Sequence, residues 1–210
     1  MNIAILLYQG VTALDAIGPY EVLAAMPGAK IHFVAKQPGV ITTHAGVPAL
    51  HADLALSDMP APDLFLLPGC PDPSHVIADD ETMNWVRNAH ETSKWSTSVC
   101  TGALILGAAG LLDGLSATTH WMAHDALERF GAKPTLQRVV REGKIITAAG
   151  VSSGIDMALM LAAAEYGDDV AQKIQLFIEY DPEPPFDAGS PAKAPKHIVD
   201  SSREELSAGH

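Results

Sequence analysis

Residues 95–103 read Trp95-Ser96-Thr97-Ser98-Val99-Cys100-Thr101-Gly102-Ala103. Trp95 to Val99 has the character of a short strand, and Thr101 to Leu112 is an Ala- and Leu-rich helix. A strand that gives way to a helix across a single cysteine is the sequence of a nucleophile elbow, where a tight turn lifts the side chain above the sheet edge. Ligands in open α/β sheets bind at the carboxyl ends of strands, which is where Cys100 falls. A helix N-terminus carries partial positive charge, so the expectation is a stabilised thiolate with a pKa well below ~8.5. Gly102 has no Cβ, which permits a sharp turn close to a substrate. Free cysteine is also among the most buried residue types and is often inert packing. The pattern alone leaves both readings of Cys100 open. Cys70 follows Pro68-Gly69 in a loop with no recognisable base beside it and reads as structural.

Outward from the elbow, the chain alternates strands and helices. Asn2 to Tyr8 is a near-continuous apolar run, the mark of a central parallel strand covered on both faces. Leu14 to Met26 reads as a helix that begins in earnest near Pro19. Lys30 to Ala35 and Asp63 to Leu67 read as strands, and Val40 to Leu50 as a hairpin around Ala45-Gly46. Asp79 to Glu91 is a helix with an acidic first turn. Ser116 to Thr119 reads as a strand and Met122 to Phe130 as a helix. Leu136 to Arg141 and Lys144 to Ala148 form a pair about Glu142-Gly143. Ser153 to Tyr166 and Asp168 to Tyr180 are helices. This alternation predicts an α/β three-layer sandwich with a mostly parallel central sheet. One domain is expected over residues 1–195, its Pro-, Ala-, Gly- and Ser-rich stretch from Asp181 wrapping the rest, with a polar tail over 196–210.

Composition narrows the function. Of 210 residues, 48% are hydrophobic, enough for a substantial core. Thirteen Lys and Arg stand against 25 Asp and Glu, a formal charge of −12 that repels nucleic acid. Two cysteines give neither a disulfide framework nor a zinc ligand set. Met1 to Gly10 lacks a basic n-region and reads as a strand rather than a signal peptide. The apolar stretch Ala103 to Leu112 is too short to span a bilayer. No membrane partner is expected, and the cytoplasm, where thiols stay reduced, is the expected compartment.

The run Ser98-Val99-Cys100-Thr101-Gly102, followed by Gly107 to Leu112 and by Ala117-Thr118-Thr119-His120-Trp121, resembles the DJ-1/PfpI superfamily. Leu14-Asp15 with Gly18-Pro19, Gly154-Ile155-Asp156, Pro184-Pro185-Phe186 and Ala188 to Pro191 extend the likeness to its isonitrile hydratase branch, over nearly the whole chain. The resemblance implies Cys100 as nucleophile and Asp15 as the acidic partner above it, in a position where many other members carry glutamate. It implies a supporting role for Thr101. Gly69 and Cys70 match a loop whose amides face the site, and Gly150 and Val151 match a loop beside the nucleophile. His120 and Trp121 are expected at the pocket wall. Relatives commonly carry two glycines where this chain has Gly69-Cys70, so a positive φ at the second position would strain the cysteine.

The chemistry so implied is thiolate attack by Cys100 on the terminal carbon of a small-molecule isocyanide, with Asp15 managing the proton. Water then releases an N-substituted formamide. Proton sharing requires an Asp15 pKa raised by burial or by the neighbouring sulfur. No cofactor and no metal are needed, and His120 and His124, spaced i,i+4, lack a third ligand. Without a catalytic role, Asp15 would read as a helix N-cap. Homodimers are implied by the superfamily. A PfpI-type peptidase would carry Cys-His where this chain has Cys100-Thr101. An amidotransferase would need a late His-x-Glu, and the late histidines are His197 and His210. The sensor domains of AraC-type regulators share the elbow but precede a helix-turn-helix region, which these residues do not carry. A redox sensor oxidised at Cys100 is a further reading.

Overall fold

The computed structural model describes residues 1–207; residues 208–210, the end of the expected polar tail and including His210, lie outside the described residues. The chain opens with β1 (Asn2–Leu6), α1 (Ala13–Ala24) and β2 (Lys30–Ala35). The hairpin β3 (Gly39–Thr42) and β4 (Ala49–Ala52) follows, then β5 (Leu54–Ala55) and β6 (Leu64–Leu67). Next come α2 (Ser74–Ile77), α3 (Asp80–Thr92), β7 (Trp95–Val99) and α4 (Gly102–Ala108). A looser stretch holds β8 (Ser116–Ala117), α5 (His124–Glu128) and β9 (Lys133–Pro134). The antiparallel pair β10 (Val139–Glu142) and β11 (Ile145–Ala148) leads to α6 (Ser153–Tyr166) and α7 (Asp168–Phe177). The described residues divide into two compact units, the first Met1–Ile178 and the second from Glu179 onward, and α8 (Lys196–Ser207) is a helix of the second.

The seven-stranded sheet runs β10-β11-β7-β6-β1-β2-β5 and is parallel except at the β10–β11 edge. The period of two along each strand feeds two cores. Ile3 and Ile5 of β1 and Leu64 and Leu66 of β6 face a core completed by Val22, Leu23, Met157, Leu161 and Ile174. Ala4, Leu6, Phe65 and Leu67 face the opposite core with Met83, Val86, Ile105 and Leu106. The sheet is therefore sandwiched between α1, α6 and α7 on one face and α3 and α4 on the other. Both faces being dry explains why β1 and β6 read as unbroken apolar runs.

Three local expectations are corrected. α1 starts at Ala13 rather than near Pro19, with Pro19 inside the helix. The site gains from this, because the first turn so formed carries Asp15. Ser116 to Thr119 is a strand only over Ser116–Ala117, paired with Lys133–Pro134 outside the main sheet. Thr118 and Thr119 leave the ladder because they bond elsewhere, Thr118 N to Thr147 Oγ1 at 2.9 Å and Thr119 Oγ1 to the Cys100 carbonyl at 2.8 Å. Leu136 is exposed, and the strand there begins at Val139.

Candidate active site

Cys100 sits between β7 and α4 with φ 58°, the left-handed region that a residue with a Cβ enters at a cost of about 1–2 kcal/mol. Its amide is held by two carbonyls, those of Ala148 at 3.1 Å and Ala149 at 2.8 Å, at the end of β11. Gly102 makes the turn possible. A Cβ there would lie 2.0 Å from the Leu67 carbonyl oxygen, so the elbow closes directly onto the end of β6. The thiol is buried, with 6% of the residue exposed.

Asp15 is fully buried in the first turn of α1. It is not an N-cap: Thr12 holds that position without a side-chain bond, and the Asp15 carboxylate reaches across the chain instead. Its Oδ2 accepts from the Gly69 amide at 2.9 Å, while Oδ1 is buried with no hydrogen-bond partner. The approach of α1 depends on small residues. A Cβ on Gly154 would lie 2.7 Å from Pro19 Cγ and 2.9 Å from Val99 Cγ2, and one on Gly18 would lie 3.1 Å from Ile155 Cγ1. The Gly18-Pro19 and Gly154-Ile155 pairs therefore set the depth at which Asp15 meets the elbow.

Thr101 and the loop 68–70 lock acid and nucleophile together. Thr101 Oγ1 accepts from the Cys70 amide at 2.9 Å and donates to the Cys70 carbonyl at 2.5 Å. A Cβ on Gly69 would lie 2.6 Å from the Thr101 amide nitrogen and 3.0 Å from Asp15 Oδ2, so only glycine fits between them. Cys70 is buried and has no positive φ, so replacing a second glycine by cysteine causes no backbone strain. The amides of Gly69 and Cys70, expected to face a substrate, are engaged by Asp15 and Thr101 instead.

The remaining expected residues lie in the turn between β11 and α6 and in the stretch after β8. The Thr101 and Val151 amides lower the Cys100 titration, against its burial. Gly150 packs against His120, whose Cδ2 would lie 3.1 Å from a Cβ at that position. Trp121 is half-buried with its ring 5.9 Å from that of His120. Burial and the neighbouring His124 lower the His120 pKa, so its imidazole stays neutral near pH 7. Among the described residues no group of His, Cys, Asp and Glu is arranged to hold a metal. Two contributors escaped the sequence reading. Thr119 fixes the elbow carbonyl, and its signal was its place beside His120 and Trp121. Tyr8, which donates to the Pro68 carbonyl at 2.7 Å, was legible only as the polar-tipped end of an apolar strand.

The electrostatics reverse one expectation and meet another. Burial, and then the Asp15 charge, push the Cys100 thiol up to about 12. The expected low thiol pKa fails because α4 is only a short helix, and its dipole with two amides does not offset desolvation beside a carboxylate. Burial raises Asp15 to about 7, against the Gly69 amide and the Cys100 thiol, which pull it down. The resting pair is thus a neutral thiol beside a carboxyl that changes charge near neutrality. The two groups displace each other's titration: the Asp15 charge raises the thiol, and the thiol lowers the carboxyl.

A strained cysteine over the sheet edge, an acid from the first helix and a glycine-threaded loop between them have close parallels. Residues 1–164 match the model of the DJ-1/PfpI family. The chain belongs to the DJ-1/PfpI family. The isonitrile hydratase of Pseudomonas putida is 43% identical over 204 residues, covering 97% of this chain and 89% of that protein. A ThiJ/PfpI family protein from Pseudomonas syringae superposes with a TM-score of 0.95 at 40% identity, over 99% of this chain and 86% of that one. The transcriptional regulator CdhR of Pseudomonas aeruginosa is 28% identical over 68% of this chain but only 43% of its own length. No helix among the described residues is long and apolar enough to cross a membrane.

Proposed function

We propose that this member of the family hydrates isocyanides to N-substituted formamides, with Cys100 as nucleophile and Asp15 as the proton carrier. The similarity to the Pseudomonas putida hydratase, which spans almost the full length of both proteins, supports the reaction class. The observation that carries the reading is the fully buried Asp15 carboxyl, one oxygen held by the Gly69 amide, beside the buried Cys100 thiol.

The Cys100 sulfur bonds to the terminal carbon of R–NC as Asp15 takes the thiol proton. Asp15 then gives that proton to the same carbon, leaving the thioimidate R–N=CH–S–Cys100. A general acid–base works best with a pKa near the working pH, which is where burial holds Asp15. Water adds to the thioimidate carbon, one proton passing through Asp15 to nitrogen. The C–S bond breaks, the hydroxyl proton returns to sulfur, and R–NH–CHO leaves. The sum is isocyanide plus water, with no cofactor and no metal. The Val151 and Thr101 amides stabilise sulfur as it gains or recovers charge. Thr101 acts by holding Cys70. Gly69, Gly150, His120 and Trp121 shape the space around the reacting carbon. The reading includes a cytoplasmic homodimer.

The test is formamide production from a simple alkyl isocyanide by wild type, Cys100→Ala and Asp15→Asn. Turnover in wild type and its loss in both variants supports the proposal. No turnover in wild type between pH 6 and 9, with the protein folded, sinks it.

A further inference from the structure

The loop 68–70 is the spacer between acid and nucleophile, and all five of its backbone polar groups are committed. The Gly69 amide goes to Asp15 Oδ2 and its carbonyl accepts from the Thr12 amide at 2.8 Å, so both are held by α1 and its cap. The Cys70 amide and carbonyl are held by Thr101 Oγ1. The Pro68 carbonyl is held by the Tyr8 hydroxyl at 2.7 Å. Tyr8 stands two residues past β1 and ties the loop through its side chain.

Tyr8 is itself fixed. Its ring meets His75 edge to face, with centroids 5.6 Å apart and planes at 68°. The His75 ring nitrogens lie 3.2 Å from the Asp72 carbonyl oxygen and 3.1 Å from that of Gln9, and the neutral ring donates to one of the two. Burial and the neighbouring Cys70, Asp15 and Cys100 push the Tyr8 hydroxyl well above its ordinary range, so it remains a donor at every working pH. Nothing in the hydration steps uses Tyr8, yet its oxygen anchors the loop on which Asp15 rests.

We propose that Tyr8 is a positioning residue: by holding the Pro68 carbonyl, its hydroxyl sets, through Gly69, the placement of the Asp15 carboxyl against the Cys100 thiol. The significance of that placement for turnover rests on the hydratase reading; the mechanical link does not. Tyr8→Phe keeps the ring against His75 and removes only the donor. The Pro68 carbonyl then lacks a partner, the loop relaxes, and the Gly69 amide loosens its grip on Oδ2. A carboxylate that loses a donor is less favoured over its acid. The ionisable groups facing Asp15 are Cys100 from the elbow and Cys70 and Tyr8 from the loop side, with Asp72 beyond Cys70. The substitution changes the charge of none of them near neutrality, so the shift it causes belongs to geometry.

The experiment is an infrared titration of ¹³C-aspartate-labelled protein, with the Asp15 band assigned by subtraction of Asp15→Asn, in wild type and Tyr8→Phe. The same preparations are assayed for formamide production. The expected result is an upward move of the Asp15 midpoint by about half a pH unit, a roughly threefold change in its ionised-to-protonated ratio at fixed pH. Under the hydratase reading, kcat falls more than KM changes. An unmoved midpoint overturns the proposal, even if Tyr8→Phe melts earlier, because loosened packing alone does not move a carboxyl's titration. A moved midpoint together with no turnover in wild type supports the Tyr8 link and overturns the hydratase reading. Turnover with an unmoved midpoint does the reverse.

Discussion

Asp15→Asn should make this protein more stable at neutral pH while abolishing its chemistry. The wild-type carboxyl is fully buried and titrates at about 7 in the folded chain, against ~3.9 for an aspartate in an unfolded one. A raised folded pKa means the native state binds the proton more tightly. Its contribution to stability is fully present below about pH 4 and is lost as pH rises through about 7. The difference of three pH units sets an upper bound of about 4 kcal/mol on the loss, at 1.36 kcal/mol per unit. Relaxation of the surroundings makes about 2 kcal/mol the working figure, several degrees in Tm for a chain of this size. Asparagine keeps the Gly69 bond through its carbonyl and has no charge to bury. Urea unfolding at intervals from pH 4.5 to 8 should therefore show the variant gaining on wild type as pH rises, with the gap levelling above 7. Parallel curves for the two proteins across that range would refute a carboxyl held near neutrality by burial.

Further expectations follow from the same geometry. The rate of formamide formation should rise with pH through about 7, as Asp15 ionises and becomes able to take the thiol proton. A rate flat from pH 5 to 8 would contradict that role. Thr101→Val strands the buried amide and carbonyl of Cys70 and should cost about 2–4 kcal/mol in urea unfolding, with kcat at least tenfold lower. Gly102→Ala places a Cβ 2.0 Å from the Leu67 carbonyl and should leave little soluble folded protein by circular dichroism and gel filtration.

The architecture was legible because each strand that matters is buried on both faces. Asn2 to Tyr8 and Asp63 to Leu67 read as apolar runs, and the elbow announced itself as one cysteine between strand and helix. Local bonds spoiled the details. Thr118 and Thr119 have the residues of a strand, but their polar groups go to Thr147 and Cys100, which no periodicity reveals. Pro19 pointed to a helix start that the packing of α1 on Gly154 overrides. The site residues came mostly from the resemblance, since Asp15 and Cys100 lie 85 positions apart and only the closure of α1 onto the elbow joins them. The rule that a helix N-terminus acidifies a cysteine failed here because it omits desolvation and the partner's charge, which decide the Cys100 titration. The importance of Tyr8 lay beyond sequence reasoning altogether, because it acts through a carbonyl 60 residues away.

The account depends most on a covalent bond to Cys100. Rapid quenching of the protein with an alkyl isocyanide, followed by intact-mass measurement and peptide mapping, tests it directly. The account predicts a transient mass gain of one isocyanide on the peptide holding Cys100 and none on that holding Cys70. Formamide production at full rate by Cys100→Ala, or an adduct confined to Cys70, would contradict it.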